Sequence, residues 1–539
     1  MDRLLKLFSS RNARIICLAI AILNRSLMVY YYSEFVNYDE KFQLSTAFNL
    51  IRGDGLSEVR YLSSNPDAPV YDHTQRWPPG YSIVIAPFLG LFNNNEFLAT
   101  TCLDMIAGIL FIFLVLSLCK TLSLSPAITN IAILISGCFQ YYIFIQSFPS
   151  DHIALVSIMG GLILCIDLIK RQKRLSFFKY LLISFVFFIP FFFRYMYLPV
   201  SLLLPATLII FSFINKNRRL RSSGFILFTG TALLSGILLV WTKLYSGHFS
   251  YIVPTEKGWF PEQLLHWYPF VPAAFVNTES VTSFLSVITN KDYSSMFRFM
   301  EVINIFLLLS LIYLLTRKGY KKYPDTFRYF VLCGTVLSGA IILLLAYLTL
   351  TNKPQASWNY SIEGRYFIFP VIFLQFLFIA KYAFDRLLYK GSLGRLLFHG
   401  LLLLLLFEAG HGVYSTIKNI AVHKENPFPT NRYLGYTKMT AIFNNIRKSY
   451  PGKDILVTSP NEYYLFAANN ERFKAIYDFD SINHLRMPVV TKKTVLITVL
   501  NDDDSSYMSK YISERRPVKF AYESFVSFFA EEIDPSPAH

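Results

Sequence analysis

Tyr38-Asp39-Glu40 opens, and Arg76-Trp77-Pro78-Pro79-Gly80-Tyr81-Ser82 closes, the stretch on which the reading of this chain turns. An apolar segment, residues 15–32, runs up to it, with Arg3, Lys6, Arg11 and Arg14 ahead of that segment. Two adjacent carboxylates therefore stand where a helix leaves a bilayer, a depth at which charge is costly and is kept for a purpose. Residues 40–52 set Phe42, Ala47, Phe48, Leu50 and Ile51 among polar neighbours and are stopped by Gly53-Asp54-Gly55. That pattern predicts a short amphipathic helix lying at the interface. The Trp-Pro-Pro-Gly run is a rigid, extended lead-in to residues 81–92, an apolar run too short to span a membrane comfortably.

Outward from this loop the chain is dominated by apolar runs. Hydrophobic residues make up 53% of 539 and charged residues 16%, which excludes a string of soluble domains. A crossing helix takes roughly 20 residues. About eleven crossings are expected, at residues 15–32, 97–119, 127–146, 153–169, 177–193, 198–214, 225–244, 299–315, 330–350, 366–383 and 396–414. The fold class is a polytopic α-helical membrane protein; a β-barrel would show short alternating strands instead. The formal net charge of +16 does not imply nucleic acid. Its basic residues gather in short clusters between apolar runs, such as Lys170-Arg171-Gln172-Lys173-Arg174, as the positive-inside rule expects. Those clusters fall on the same side as the N-terminus, which is therefore expected in the cytoplasm. Asp39-Glu40, Asp151, Arg194 and Glu363-Gly364-Arg365-Tyr366 fall on the opposite side. The first apolar segment lacks a cleavage site and is expected to be a retained helix.

Within the first helix, Arg25 has two readings: contact with a lipid phosphate inside the bundle, or snorkelling outward. Glu408 and His411 share a helical face by spacing and are expected to form a buried pair rather than a metal site. The six cysteines have no metal-ligand spacing and read as small interior residues. After Thr416 charges return and apolar runs shorten. Helices are expected at 437–450, 461–469 and 505–516, and strands at 454–459, 493–500 and 518–529. This divides the chain into a membrane domain, 1–415, with its first outer loop at 34–79, and a small extracytoplasmic α/β domain, 416–539. No glycine-rich phosphate loop occurs in the latter.

The outer-side residues suit one chemistry. A sugar joined to a polyprenyl phosphate has its tail in the bilayer, its sugar at the surface and a phosphate as leaving group. Its transfer needs a carboxylate to deprotonate or orient an acceptor hydroxyl. It also needs cations, or a metal, to take up charge on the departing phosphate. Asp39 or Glu40 meets the first need. Arg194, Arg365 and Arg76 meet the second, because guanidinium groups grip phosphate through paired hydrogen bonds. Asp151 would contact the acceptor or, with Asp39, ligate a divalent cation; its plain alternative is a cap on the helix that follows. The plain alternative for Asp39-Glu40 is a solvated helix start, and for Arg365 a pairing with Glu363.

The arrangement resembles the GT-C superfamily of polyprenyl-phosphate-sugar-dependent membrane glycosyltransferases, which holds protein O-mannosyltransferases and bacterial aminoarabinose transferases. The resemblance rests on Tyr38-Asp39-Glu40 after the first helix, the Arg76–Tyr81 run, the Pro-Ser-Asp turn at Asp151, and Arg365-Tyr366 followed by Pro370. It implies an inverting transferase in a bacterial inner membrane, with a polyprenyl-phosphate sugar donor and a lipid, glycan or protein acceptor on the periplasmic face. The acidic residue of the group's first loop carries over onto Asp39, with Glu40 beside it, and its second acidic position onto Asp151. Some members have a lysine before the proline pair; here Trp77 stands there, preceded by Arg76. Two other classes are weighed. A flippase of lipid-linked saccharides would spread its polar groups through two related halves, whereas here they gather at helix ends. A polymerase or ligase would place essential arginines in its large outer loop, and residues 245–297 have few basic side chains.

Overall fold

The computed structural model describes residues 2–32, 38–73, 77–139, 149–171, 175–249, 258–261, 275, 289, 322–351, 367–385, 392–425, 436–478, 488–501, 505–523 and 526–535. Among these, eight helices are long and apolar enough to cross a bilayer: Arg11–Tyr31, Glu96–Thr121, Ser150–Arg171, Tyr195–Ile214, Arg218–Ser246, Asp325–Thr351, Ile368–Asp385 and Leu393–Ala421. Gly80–Leu91, Pro126–Cys138 and Phe177–Phe193 are shorter apolar helices. The crossing expected at 299–315 lies outside the described residues. Large apolar side chains on the long helices stay uncovered, among them Leu343 at 71% and Leu233 at 63% exposure. In water such surfaces would mark a partner or an aggregation site; on helices of this length they face lipid. The protein is a polytopic membrane protein.

Two compact units emerge. The first comprises Met1–Val29, Asp104–Trp241 and Ile252–Asn419. Its helices cross closely where a residue lacks a side chain. A Cβ on Gly137 would fall 2.4 Å from the Ala21 Cα, and one on Gly108 would fall 2.8 Å from Arg25 Cγ. Small residues at such crossings let backbones approach, the usual way membrane helices associate. Tyr329 packs edge-on to Phe211 and its hydroxyl lies 2.7 Å from Thr207 Oγ1, tying Asp325–Thr351 to Leu198–Ile214. The turn into the next helix is set by Lys216 at φ +53 and by Asn217, whose Oδ1 accepts from the Leu220 amide at 3.1 Å.

The second unit comprises Tyr30–Leu103, Thr242–Tyr251 and Ile420–His539. The expected amphipathic helix is Tyr38–Arg52, and Gly80–Leu91 follows the proline pair. Its sheet has seven strands: β1 (Ser57–Leu62), β2 (Asn65–His73), β3 (Asp454–Thr458), β4 (Lys474–Ile476), β5 (Thr494–Asn501), β6 (Val518–Glu523) and β7 (Val526–Ile533), in the order β2-β1-β4-β3-β5-β7-β6. β1, β4, β3 and β5 run parallel, and the outer pairs are antiparallel. β5 is buried along its whole length. Val495, Ile497 and Val499 face one apolar cluster with Phe443, Tyr464 and Phe528, while Leu496 joins Leu456 and Ile476 on the other. That is the pattern of a central strand covered on both faces.

The first loop differs from expectation. Residues 57–73 form a hairpin, β1–β2, and that hairpin belongs to the same sheet as the C-terminal strands. Pro66 and Pro69 sit in β2, the edge strand, where a missing amide is tolerated. The single strand expected at 518–529 is two strands, β6 and β7.

Candidate active site

Helix Tyr38–Arg52 begins with its two carboxylates in the first turn, where the helix dipole favours negative charge. Successive residues on a helix point about 100° apart, so the pair divides. Glu40 turns inward and is 4% exposed; Asp39 is half-buried. The Tyr81 hydroxyl donates to Glu40 Oε1 at 3.0 Å, and Ser82 Oγ donates to the Gln43 carbonyl at 2.9 Å. The rigid Pro78-Pro79-Gly80 run thus delivers Tyr81 and Ser82 onto the helix that carries the carboxylates. Gln43 Nε2 donates back to the Asp39 carbonyl at 3.0 Å. The Phe42 ring meets Trp77 at 5.3 Å and Phe466 at 5.2 Å, holding the half-buried Trp77 against the helix.

Beneath this turn lies a buried charged network within the same unit. Lys41 Nζ bonds Glu96 Oε2 at 2.5 Å, and Asn470 Nδ2 donates to Glu96 Oε1 at 2.8 Å. Burial, chiefly, and then Glu96 push the Glu40 carboxyl up from 4.5 to about 8, against the pull of the Tyr81 hydrogen bond and of Lys41. At neutral pH Glu40 is therefore mostly protonated and unsuited to act as a base.

This shift sets a pH dependence. The folded state holds the Glu40 proton more tightly than the unfolded chain does. Its stabilising effect is complete below about pH 4.5 and is lost as pH rises to about 8. Glu40→Gln is expected to flatten the fall in stability across that window, by up to a few kcal/mol. Unfolding midpoints measured at intervals from pH 5 to pH 9 for both proteins check this. Parallel curves would show that Glu40 titrates normally.

The first unit brings together two other expected residues. Arg194 Nε donates to Asp151 Oδ1 at 2.9 Å and Arg194 Nη2 to Asp151 Oδ2 at 2.8 Å. Asp151 is wholly buried and Arg194 is 6% exposed. Phe177–Phe193 ends at Arg194, whose extended backbone turns the side chain toward the first turn of Pro149–Arg171. Both Asp151 oxygens face a guanidinium, so a divalent cation at Asp151 would have to displace it. Among the described residues no group of three or more His, Cys, Asp or Glu could hold a metal ion. Arg25 points into this unit rather than outward: it is 1% exposed, and its Nη2 donates to the Ser136 carbonyl at 3.0 Å. Asn24 Nδ2 takes the next carbonyl, Gly137, at 3.1 Å. The two side chains satisfy the end of helix Pro126–Cys138, an obligation the sequence does not advertise. Glu408 and His411 come within 3.7 Å, an ion-pair distance rather than a hydrogen bond.

Arg76, Arg365 and Tyr366 lie outside the described residues. Asp39, Glu40 and Trp77 belong to the second unit, Asp151 and Arg194 to the first. Sequence reasoning missed Tyr81 as the Glu40 partner and missed the Lys41–Glu96–Asn470 network. Glu96 at the head of a 26-residue apolar helix was a usable signal; nothing marks Lys41 or Asn470.

No family model matches the chain, and no curated protein matches it. Among solved structures, ArnT from Cupriavidus metallidurans bound to undecaprenyl phosphate aligns over 96% of this chain and 97% of its own, with a TM-score of 0.41 and 12% identity. The same protein in the apo state aligns over the same shares with a TM-score of 0.42. Archaeal oligosaccharyltransferase AglB from Archaeoglobus fulgidus, in complex with an inhibitory peptide and a dolichol-phosphate, aligns over 92% of this chain and 69% of its own, with a TM-score of 0.45 and 11% identity. At these scores the likeness says nothing about substrate.

Proposed function

We propose that this chain is an inverting membrane glycosyltransferase that moves a sugar from a polyprenyl-phosphate donor to an acceptor hydroxyl of a lipid, glycan or protein. The observation that carries the reading is the division of the acidic pair: Glu40 buried and bonded to Tyr81, Asp39 half-buried on the first turn of an interfacial helix. In this reading the acceptor oxygen attacks the sugar C1 from the face opposite the phosphate. The C1–O bond to the phosphate breaks, and its electron pair leaves with the polyprenyl phosphate. The acceptor proton passes to the Asp39 carboxylate. Glu40, held by Tyr81, fixes the turn that presents Asp39.

Arg194, Arg76 and Arg365 are the candidates to take up charge on the departing phosphate. Asp151 orients Arg194 through its two-pronged pairing, and Trp77 and Tyr366 are the further candidates for substrate binding. The placement that goes with this function is a bacterial inner membrane crossed about eleven times, with the N-terminus cytoplasmic and residues 416–539 periplasmic. The residues of the second unit then work on the periplasmic side.

The test is sugar transfer by the purified protein in lipid nanodiscs, given a radiolabelled polyprenyl-phosphate sugar and membrane extracts as acceptors. Label appearing in a new glycoconjugate, with inverted anomeric configuration, is the expected result. Translocation of the intact lipid-linked sugar without transfer would instead identify a flippase.

A further inference from the structure

Two consecutive asparagines end helix Glu462–Asn470. Within the second unit they turn both side-chain amides and both carbonyls toward helix Tyr38–Arg52 and its buried charges. Asn469 Nδ2 donates to Ser45 Oγ at 3.1 Å and to the Val59 carbonyl at 3.3 Å. Asn470 Nδ2 donates to Glu96 Oε1 at 2.8 Å, and Glu96 Oε2 holds Lys41 Nζ. Arg52 Nη1 and Nη2 donate to the Asn469 and Asn470 carbonyls at 3.2 and 2.7 Å. The last carbonyls of a helix lack partners inside it; here a guanidinium from another helix reaches them. Both asparagines are buried, as are Ser45 and Lys41.

Lys41, Ser45 and Arg52 stand four and seven residues apart. At about 100° per residue they lie within about 40° of one another, on one face of the helix. Asp39 lies about 160° round from Lys41, on the opposite face. The asparagines therefore grip the helix from behind, at points spread over about 16 Å of its length. Such a grip sets the rotation of the helix about its own axis. Side-chain ends lie about 5–6 Å from a helix axis, so a rotation of about 10° moves the Asp39 carboxylate by about 1 Å. A misplacement of that size costs a reaction up to about 10²-fold.

Apolar packing already joins the two helices, through the edge-on rings of Phe42 and Phe466 at 5.2 Å. Apolar contact is non-directional, whereas buried hydrogen bonds specify one arrangement. These bonds are kept at a cost. Asn470 Oδ1 is buried without a partner among the described residues, a penalty that an apolar side chain would avoid. Directional contacts held at that penalty suit positioning rather than adhesion.

We infer that Asn469 and Asn470 are positioning residues for sugar transfer. Through Ser45, Arg52 and the Glu96–Lys41 pair they set the rotation of Tyr38–Arg52, and so the aim of Asp39 at the acceptor hydroxyl. This rests on the role proposed above for Asp39. It gives the C-terminal part of the chain a share in the reaction, exerted through the helix rather than on the substrate.

The experiment compares wild type, Asn469→Ala, Asn470→Ala and Arg52→Gln as full-length proteins in nanodiscs, well below their melting temperatures. Arg52→Gln breaks the same bonds from a half-buried position and carries the test should an asparagine variant fail to fold. Ile497→Val, in the wholly buried β5, weakens the same sheet but leaves these bonds in place, and is the control. Transfer is read as kcat per donor-binding site, and the helix by amide hydrogen exchange over residues 38–52. A merely structural loss lowers the number of working sites and leaves kcat per site unchanged.

The three variants should lose kcat by at least about tenfold, with KM for the donor within about threefold of wild type. Their 38–52 amides should exchange at least about tenfold faster. Ile497→Val should change neither. Wild-type kcat in the folded variants overturns the positioning role, and unchanged exchange overturns the grip on the helix. An equal fall of kcat in Ile497→Val overturns the inference as well, by tracing the effect to the stability of the sheet. Normal transfer by Asp39→Asn would instead remove the base assignment, and the exchange measurement would still decide whether the asparagines hold the helix.

Discussion

Asp39→Asn is expected to abolish sugar transfer in a protein that still inserts and folds. A general base contributes roughly 10² to 10⁴-fold to rate, and the amide keeps the shape of the carboxylate while losing its proton affinity. The structural cost is small. Asp39 sits at the start of a helix, half-buried, where a carboxylate's interaction with the dipole is worth about 0.3–1 kcal/mol. Glu40→Gln is the matched comparison, since Glu40 is largely protonated at neutral pH and bonded to Tyr81. It should keep substantial transfer. Initial rates from labelled donor in nanodiscs, with melting curves on the same samples, separate the two residues. Normal transfer by Asp39→Asn would remove the base assignment, and loss in Glu40→Gln alone would exchange the roles.

Arg194→Gln gives the second large effect. Asp151 is fully buried and its two oxygens are bonded to the Arg194 guanidinium. Removing one partner of a buried pair leaves an uncompensated charge, which costs about 3–5 kcal/mol. Asp151→Asn strands the guanidinium in the same way. The double variant, Asp151→Asn with Arg194→Gln, buries two neutral amides that can bond each other and should recover most of the stability. Unfolding in mixed micelles, arranged as a double-mutant cycle, reads the coupling, expected at about 2 kcal/mol or more. Additive losses would mean that the two side chains do not act as a pair.

The helical frame was legible because its signals are long and repeated. Apolar runs ended by Lys170-Arg171 or by Lys216 and Arg218 place a helix with its boundary. The amphipathic helix at 38–52 was legible for a similar reason: Phe42, Ala47, Phe48 and Ile51 recur at helical spacing, and Gly53 stops them. The hairpin was harder. Val59 and Tyr61 alternate with Glu58 and Arg60, a strand pattern, but it is short and followed by Pro66 and Pro69, which usually argue against a strand. Only an edge position reconciles them, and edges are a property of the assembled sheet. At the site, Asp39 and Glu40 stood out because charge beside a bilayer is conspicuous. Their division into one buried and one half-buried carboxyl depends on what covers each one: Tyr81 reaches Glu40, and Trp77 and Phe466 pack on the neighbouring Phe42, from other parts of the sequence. The Asp151–Arg194 pair was seen as two residues on one side of the membrane; that they bond each other follows from the packing of Pro149–Arg171 on Phe177–Phe193.

The parallel pairing of β1 with β4 joins Tyr61 to Ile476, and Arg52 reaches the Asn469 and Asn470 carbonyls. During synthesis the hairpin leaves the ribosome early, while its neighbouring strand follows only about 400 residues later. Closing so long a loop is slow, and until β4 has been made the inner edge of β1 has nothing to zip onto. Chaperones of the compartment into which the first loop emerges would therefore meet that edge bare, and the segment bearing Asp39 can gain its finished surroundings only after the chain has been made as far as Ile476.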